Sequence, residues 1–422
     1  MASKDDIRAF HRSAKGKVRM ALTEPISSRE MLAKTYTPGV AVPARDIAEN
    51  PELVWELTGR RNRVAVVSDG SAVLGLGNVG PLAALPVMEG KAALFKEFAD
   101  IDAFPICLAT QNTDEIVQAV KAIAPSFGGI NLEDIAAPRC FQVEEILKRE
   151  LDIPVFHDDQ HGTAIVVLAA LMNALKVRSL DTRRRVTLSS PSPFDGAQDR
   201  LREGVSKGRH GATRDDTKIV ISGAGAAGTA IARMLLSQGF SHILVVDRQG
   251  IIHRDRDDLN CEAKMFLAAA TNPENMKGSL KEAINGSDVF IGVSTANLVT
   301  KDMVRSMAKD PIVFALANPD PEIMPGDAKE AGAAIIASGR SDLLGTQVNN
   351  LLAFPGVFRG ALDSGAKEIT QVMKLAAAKA LAACVENPTA EKILPDPLEK
   401  GVAMKVAEAV KKAAPEKMKN EK

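Results

Sequence analysis

The alternation of apolar and polar positions divides the chain into two stretches of strand–helix alternation, separated by a charged segment. In the first stretch, apolar runs at 63–68, 103–108, 130–132 and 154–156 alternate with segments of helical period at 114–124 and 141–151. Short apolar runs that alternate with helices predict parallel strands. The carboxyl ends of parallel strands meet at one edge of a sheet. We therefore predict an α/β domain over residues 1–160.

The second stretch begins with an apolar strand at 218–222, which leads into Gly223, Gly225 and Gly228 at the spacing Gly-x-Gly-x-x-Gly. A helix at 229–237 follows, and a strand at 242–246 ends in Asp247. Glycines at this spacing, with Ala226 and Ala227 between them, permit a tight turn and bring a pyrophosphate to the helix N-terminus. Asp247 has the usual offset for an acid that binds the adenosine ribose. Further apolar runs at 288–293, 312–317 and 334–338 complete the pattern of a Rossmann domain, predicted over 219–422.

Between the two stretches lies an apolar helix at 164–175, which predicts a linker helix over 161–177. Residues 178–218 then carry ten Lys/Arg against six Asp/Glu, a net charge of +4, with no stable apolar periodicity. A structureless segment of this length inside a domain is unusual. We predict a disordered insertion at 178–218. A basic run could contact nucleic acid, but Phe194 is its only aromatic residue, which favours a solvated loop.

Composition narrows the function classes. A chain of 422 residues exceeds one ordinary core, so two domains are expected. Lys plus Arg equals Asp plus Glu, 53 each, so no global field favours nucleic acid or an anionic membrane. The sequence shows no signal peptide and no apolar run long enough to span a membrane. The four cysteines are scattered. These features predict a soluble cytoplasmic protein.

Two acidic pairs, Glu133–Asp134 and Asp158–Asp159, each follow a short apolar run. Carboxylates collected at one sheet edge repel one another unless a cation or protons lie between them. Oxygen ligands without a nearby Cys pair suit Mg²⁺ or Mn²⁺ better than zinc. The alternative is that these acids are solvated loop residues or helix caps. The pattern by itself supports both interpretations equally.

Two further residues are candidates for proton transfer. Tyr36 is the only tyrosine and precedes a Pro-Gly turn, where a packing role is the ordinary interpretation. Lys91 is predicted in the first turn of a helix, which the helix dipole disfavours for a cation. It is either an ordinary solvated lysine or one whose pKa is lowered for proton transfer. Ser27 and Glu30 have the spacing of a helix capping box.

Several motifs resemble the short bacterial malic enzymes. They are TYTPGVA around Tyr36, LGLGNVGP at 74–81, PVMEGKAALF around Lys91, NLEDIAAPRCF, PVFHDDQHGTA, GAGAAG, FALANPDPEI at 314–323 and VNNLLAFPGVFRGALD at 348–363. The resemblance covers nearly the whole chain except 178–218. It implies an N-terminal malic-type domain before the Rossmann domain. It also implies oxidation of malate with NAD⁺ or NADP⁺, decarboxylation to pyruvate, and a requirement for Mg²⁺ or Mn²⁺.

The resemblance also implies roles for particular side chains. It gives Tyr36 as the general acid and Lys91 as the general base. The remaining assignments are Glu133, Asp134 and Asp159 as metal ligands, Asp158 as a supporting residue, and Asn318 and Asn349 near substrate and nicotinamide. Malate oxidation requires a base whose pKa lies near neutral pH. Lys91 meets that requirement only if burial or a nearby cation lowers its pKa.

Some expectations distinguish this chain from its relatives or leave alternatives open. By the resemblance, relatives commonly have an aromatic-Pro-Asn stretch, one residue shorter, where this chain has residues 340–347, just before Asn349. Asp247 favours NAD⁺, whereas the adjacent Arg248 could attract the 2′-phosphate of NADP⁺. A homodimer is expected from the family and from the N-terminal segment, which has few apolar partners. The rival interpretations are another two-domain dehydrogenase, such as an amino-acid dehydrogenase, and a catalytically silent regulatory dimer.

Overall fold

The chain folds into two compact units, each built on its own parallel sheet. A computed structural model describes residues 3–73, 75–188 and 216–415. Unit 1 comprises Met1–Gly162, Leu351–Ala377 and Lys400–Lys422, and unit 2 comprises Thr163–Asn350 and Ala378–Glu399. The α/β class with two domains is confirmed. By their contacts, the segments Leu351–Ala377 and Lys400–Lys422 belong to unit 1, although the prediction places them with the Rossmann domain over 219–422.

The helices and strands of residues 3–188 are, in order, α1 Lys4–Ala14, α2 Arg29–Thr35, α3 Ala41–Glu49, α4 Val54–Leu57, β1 Arg63–Ser68, α5 Gly80–Ala99, β2 Asp102–Cys107, α6 Thr113–Ile123, β3 Gly129–Leu132, α7 Arg139–Glu150, β4 Val155–His157 and α8 Asp158–Leu188. Those of residues 216–415 are β5 Ile219–Ser222, α9 Ala226–Leu236, β6 Ile243–Asp247, β7 Gly250–Ile251, α10 Glu262–Ala270, α11 Leu280–Ile284, β8 Val289–Gly292, α12 Lys301–Arg305, β9 Ile312–Ala315, α13 Pro325–Glu330, β10 Ile335–Ser338, β11 Thr346–Gln347, α14 Phe354–Ser364, α15 Gln371–Ala383 and α16 Val402–Ala413.

The sheet of unit 1 has the order β2-β1-β3-β4, and every pair is parallel. The aromatic side chains of α14 explain why this C-terminal helix belongs to unit 1. The ring of Phe354 packs 4.7 Å from that of Phe95 on α5, and the ring of Phe358 packs 5.7 Å from that of Phe156 on β4. All four rings are fully buried. Edge-to-face aromatic pairs of this kind add to the free energy gained by burial.

The sheet of unit 2 has the order β11-β10-β9-β8-β5-β6-β7. Only β7 runs antiparallel, as the neighbour of β6. The chain moves from β5 to β6 on one side and then places β8 on the other side of β5. This reversal creates the crevice at the carboxyl ends of the strands where nucleotides bind in open α/β sheets. The five parallel strands predicted after residue 217 are all present.

Helix α8 runs from Asp158 to Leu188, well beyond the predicted helix at 164–175. Residues 178–188 are therefore helical, so the prediction of a disordered insertion is wrong for this part. Residues 189–215 lie outside the described residues. The stretch Asp158–Ser179 is long and apolar enough to cross a membrane by length and composition alone. Its apolar residues between 164 and 171 are fully buried, so α8 is a core helix of a soluble fold.

Two local predictions are wrong. The side chain that caps α2 is that of Ser28 and not Ser27, and it accepts from the N–H of Met31. Helix α5 begins at Gly80, so Lys91 lies in its middle and the argument from the helix dipole does not apply. A proline inside a helix removes one backbone hydrogen bond, and α5 continues through Pro86.

Candidate active site

The two acidic pairs lie at the ends of neighbouring parallel strands. Glu133 and Asp134 follow β3, and Asp159 lies in the first turn of α8 directly after β4. One carboxylate oxygen from each of these three residues lies within 4.8 Å of the others. Glu133 and Asp134 are buried, and the N–H of Asp134 donates to Asp159 Oδ2 at 2.8 Å. The structure therefore brings together three carboxylates that the sequence separates by 25 residues.

Lys91 is inserted into this carboxylate cluster. Its Nζ lies 2.8 Å from Glu133 Oε1 and 2.5 Å from Asp158 Oδ2, and it stands 4.1 Å from the centre of the Phe354 ring. The side chain is 7% exposed, so the interpretation of Lys91 as a solvated surface lysine is wrong. Burial acts to lower the pKa of Lys91, but the charges of Asp158 and Glu133 outweigh it and raise that pKa. The direction of this shift is opposite to the lowered pKa that proton transfer at neutral pH requires.

The carboxylates themselves are held in an unfavourable environment. Burial raises the pKa of Glu133 well above its ordinary value, and the charge of Asp159 raises it further against the opposing effect of Lys91. Burial likewise raises the pKa of Asp158 to about 6. Within the described chain, Asp158 Oδ1 is buried without a hydrogen-bond partner. An all-oxygen donor set with this much mutual repulsion fits a divalent cation such as Mg²⁺ or Mn²⁺.

A second set of side chains, which sequence reasoning missed, holds the loops that form the cluster. The Arg139 guanidinium donates to Asp69 Oδ2 at 2.8 Å and to Ser71 Oγ at 2.9 Å, which ties the loop after β1 to the start of α7. Asn131 Nδ2 donates to Glu133 Oε2 at 2.8 Å. The sequence contained a usable signal, since Asp69 follows β1 as Glu133 follows β3. The carboxylates that follow the neighbouring strands β1, β3 and β4 therefore lie at the same edge of the sheet.

Tyr36 is exposed to solvent, unlike the residues of the carboxylate cluster. It is the C-cap residue of α2, and it is 68% exposed. Within the described parts of the chain no hydrogen bond joins the Tyr36 hydroxyl to Lys91 or to the carboxylates. The structure thus brings Lys91, but not Tyr36, into contact with the carboxylate cluster.

The glycine-rich turn of unit 2 has the form that the sequence predicts. It connects β5 to α9, and Ala226 and Ala227 begin the helix. A Cβ on Gly228 would lie 1.8 Å from the carbonyl oxygen of Gly223, so only glycine permits this close approach. A Cβ on Gly225 would meet nothing within 4 Å and would project into open space in front of the helix N-terminus. This is the cradle in which a dinucleotide pyrophosphate fits.

Asp247 ends β6 as predicted, but its carboxylate is already engaged. Arg256 donates to both oxygens at 2.9 Å, Lys264 lies 3.0 Å from Oδ2, and the N–H of Gln249 donates to Oδ1 at 2.9 Å. Burial acts to raise the pKa of Asp247, but the hydrogen bonds from Arg256 and Lys264 outweigh it and lower that pKa. A carboxylate has about four acceptor positions, and four donors occupy them here. The sequence indicated the adjacent Arg248, which is exposed, and missed Arg256 and Lys264.

Asn318 and Asn349, which are 31 positions apart, both lie next to Gly339. A Cβ on Gly339 would lie 2.9 Å from Asn318 Nδ2, and Asn349 Nδ2 lies 3.5 Å from the carbonyl oxygen of Gly339. The altered stretch after Gly339 is held by Arg340, whose guanidinium donates to the carbonyl oxygen of Pro319 at 2.8 Å and to Asp342 Oδ2 at 2.7 Å. The structure therefore brings the two asparagines together despite the different sequence before Asn349.

Comparison with known proteins identifies two family regions. Residues 15–148 match the family described as "Malic enzyme, N-terminal domain", and residues 205–415 match "Malic enzyme, NAD binding domain". The second match begins inside 178–218, so part of the predicted insertion lies within a family region. This corrects the expectation that the whole of 178–218 interrupts the family pattern.

Individual relatives match over almost the entire chain. An NAD-dependent malic enzyme of Geobacillus stearothermophilus is 51% identical over 96% of this chain and 78% of the relative. A bifunctional malic/malolactic enzyme of Bacillus subtilis is 48% identical over 99% of this chain and 94% of the relative. The crystal structure of an NAD-dependent malic enzyme from Thermotoga maritima matches with a TM-score of 0.84 and 46% identity, covering 97% of this chain and 99% of that one.

Proposed function

This chain belongs to the malic enzyme family and oxidatively decarboxylates malate with NAD(P)⁺, and we propose that Lys91, Tyr36 and the carboxylate cluster carry out that reaction. The observation that carries the proposal is the buried contact of Lys91 with Glu133 and Asp158, beside carboxylates within 4.8 Å of one another. A solvated acidic loop would not enclose a lysine in this way. Neither a silent scaffold nor an amino-acid dehydrogenase needs a carboxylate cluster that fits a divalent cation.

Glu133, Asp134 and Asp159 are the residues that would hold a divalent cation. When bound there, Mg²⁺ or Mn²⁺ would supply Lewis-acid polarisation of the malate oxygens and so favour loss of carbon dioxide. Asp158 has a different part, because one of its oxygens is bonded to Lys91 and the other is buried without a partner in the described chain. We assign Asp158 to orienting Lys91 and to stabilising its positive charge.

Lys91 Nζ is the atom that accepts the proton of the carbon 2 hydroxyl as hydride leaves for the nicotinamide. In the protein alone, Glu133 and Asp158 hold this nitrogen protonated. A Glu133 carboxylate shared with a cation would attract Lys91 less strongly, and the pKa of Lys91 would then fall toward the range a base requires. After decarboxylation, the Tyr36 hydroxyl donates a proton to carbon 3, and pyruvate is released.

We assign the glycine-rich turn Gly223–Gly228 to the dinucleotide pyrophosphate and Asn318 and Asn349 to the substrate and nicotinamide. NAD⁺ is proposed as the better substrate because the Geobacillus relative is NAD-dependent. Asp247 would bond the adenosine ribose only by giving up one of its four present donors. NADP⁺ is also accepted, because Arg256 and Lys264 neutralise Asp247. Initial rates with each nucleotide at equal concentration test this assignment. A preference for NADP⁺ would contradict it.

We further propose that the functional form is a cytoplasmic homodimer. Helices α1, α2 and α3 bury no residue, and this segment exposes apolar side chains, among them Phe10, Met20, Leu22 and Tyr36. Exposed apolar surface of this kind is typical of an interface with another chain. A second copy that covers the segment would exclude water from around Tyr36. Sedimentation at micromolar concentration should give twice the mass of one chain, and a monomer would contradict the proposal.

A substrate panel tests the function. The protein, with Mn²⁺ and either nucleotide, should convert malate to pyruvate and reduced nucleotide in equal amounts, and should release no ammonia from amino acids. Ammonia release would support the amino-acid dehydrogenase. Inactivity with every substrate and both nucleotides would support the silent regulatory dimer.

A further inference from the structure

Glu144 is a buried carboxylate on α7 that lies outside the cluster but is bonded to the segment 157–161. It is 5% exposed. The backbone N–H of His157 donates to its Oε1 at 3.2 Å, and Gln160 Nε2 donates to its Oε2 at 3.1 Å. His161 Nε2 lies 2.8 Å from Oε1. All three donors lie within residues 157–161, so the Glu144 side chain is hydrogen-bonded to this segment at three points.

The charged groups around Glu144 favour its ionised form. Burial acts to raise its pKa, but His161 and Lys148 outweigh that effect and hold the pKa well below the ordinary value for a glutamate. Lys148 Nζ lies 2.5 Å from Oε1. An ionised carboxylate is purely an acceptor, and its hydrogen bonds are stronger than those between neutral groups. The segment 157–161 is therefore held by a buried carboxylate, which in its ionised form can only accept hydrogen bonds.

The anchored segment is the part of the chain that carries Asp158 and Asp159. It contains the last residue of β4 and the first turn of α8, where backbone N–H groups lack partners within the helix. A shift of this segment would displace Asp158 from Lys91 and Asp159 from the N–H of Asp134. We propose that Glu144 is a positioning residue that fixes Asp158 and Asp159 in the geometry the cation requires. This inference rests on the proposed function and extends it to a residue that touches neither substrate nor cation.

The test measures Mn²⁺ binding directly, by the electron paramagnetic resonance signal of the free ion, without malate or nucleotide. Glu144→Gln preserves volume but turns one acceptor into a donor that faces Gln160 and His161. Partners that orient metal ligands typically contribute about 10- to 100-fold in metal affinity. The Kd for Mn²⁺ should therefore rise by about that factor. Turnover should fall steeply at limiting Mn²⁺ and less at saturating Mn²⁺.

Two control variants separate positioning from stability. Glu150→Gln changes the same helix at an exposed pair with Lys121, and the Kd for Mn²⁺ should not change. Asn173→Ala removes a buried amide on α8 that donates to the carbonyls of Ala382 and Ile393. It should lower the urea midpoint while leaving the Kd unchanged. Gln160→Leu removes one of the three anchoring donors and should raise the Kd by a smaller factor, which keeps the test decisive if Glu144→Gln does not fold.

Two results would overturn the inference. One is a wild-type Kd for Mn²⁺ in folded Gln160→Leu, and in Glu144→Gln if that protein folds. The other is an equal loss of affinity in Asn173→Ala, which would assign Glu144 a structural role only. Both results are distinct from failure of the proposed function, in which the wild-type protein would neither bind Mn²⁺ nor oxidise malate.

Discussion

Replacement of Lys91 by methionine isolates the contribution of one ammonium group to catalysis and to stability. Methionine is close in length and apolar, so it occupies the space beside Phe354 without a charge. The variant loses the atom to which we assign the proton of the carbon 2 hydroxyl. General acid–base groups contribute roughly 10²–10⁴-fold in rate, so malate oxidation should fall by at least about 100-fold. The losses in kcat and kcat/KM should be similar, because the missing interaction acts in the transition state.

The structure also sets the effect of Lys91→Met on stability. Lys91 is 7% exposed and pairs with two buried carboxylates at 2.8 and 2.5 Å. Removal of one partner from a buried ion pair typically costs about 3–5 kcal/mol. The free energy of unfolding, measured in urea without divalent cation, should fall by about that amount. Added Mn²⁺ should restore part of it, since binding to the native state stabilises that state.

Lys96→Met is the matched control, because Lys96 lies on the same helix with its side chain 55% exposed. Its pairs with Asp100 and Asp102 lie at the surface, and such pairs contribute less than about 1 kcal/mol. Activity of the control should be unchanged, and both variants should bind NADH with the wild-type Kd in a fluorescence titration. Near wild-type turnover of Lys91→Met at neutral pH would refute the reasoning and require another base.

Three further predictions follow from the same structure. Tyr36→Phe should still bind malate and Mn²⁺ but turn over roughly 10²–10⁴-fold more slowly, and an unchanged kcat would exclude Tyr36 as the proton donor. Asp159→Ala should regain part of its activity at high Mn²⁺ because its defect is in metal affinity, whereas no recovery would assign it another role. Burial, together with the charge of Lys148 and against that of Glu144, lowers the pKa of Lys374 to about 7 from 10.5. Between these two pKa values, Lys374 is protonated more in the unfolded state than in the folded state. The free energy of unfolding should therefore rise with pH by up to about 1.4 kcal/mol per pH unit, relative to that of Lys374→Met. If the urea midpoints of the two proteins changed equally with pH between 7.5 and 9, this prediction would be contradicted.

The sequence predicts the parts of the fold that depend on local pattern. Strands β1, β3 and β4 and the turn from β5 to α9 are recognisable because their apolar runs and glycines have a fixed spacing. The acids that follow β3 and β4 are predictable for the same reason, since neighbouring parallel strands end at one edge. These features require no knowledge of which distant elements pack together.

Other features depend on tertiary packing and were not predictable from local pattern. The return of α14 to unit 1 depends on Phe354 and Phe358 packing against aromatic rings more than 190 positions earlier. The raised pKa of Lys91 depends on two carboxylates that have no sequence proximity to it. Glu144 carried no signal, because a glutamate in an amphipathic helix is ordinarily solvent-exposed.

The central claim is that Lys91 and the carboxylates Glu133, Asp134 and Asp159 form a metal-dependent catalytic centre. The most direct test is pyruvate formation from malate and NAD⁺ by protein freed of metal with a chelator, before and after addition of Mn²⁺, with Lys91→Met alongside. We predict no pyruvate from either metal-free protein, full activity of the wild type once Mn²⁺ is present, and pyruvate formation at least about 100-fold slower by the variant with Mn²⁺. Pyruvate formation by the metal-free wild type, or near wild-type turnover of Lys91→Met with Mn²⁺, would contradict the account.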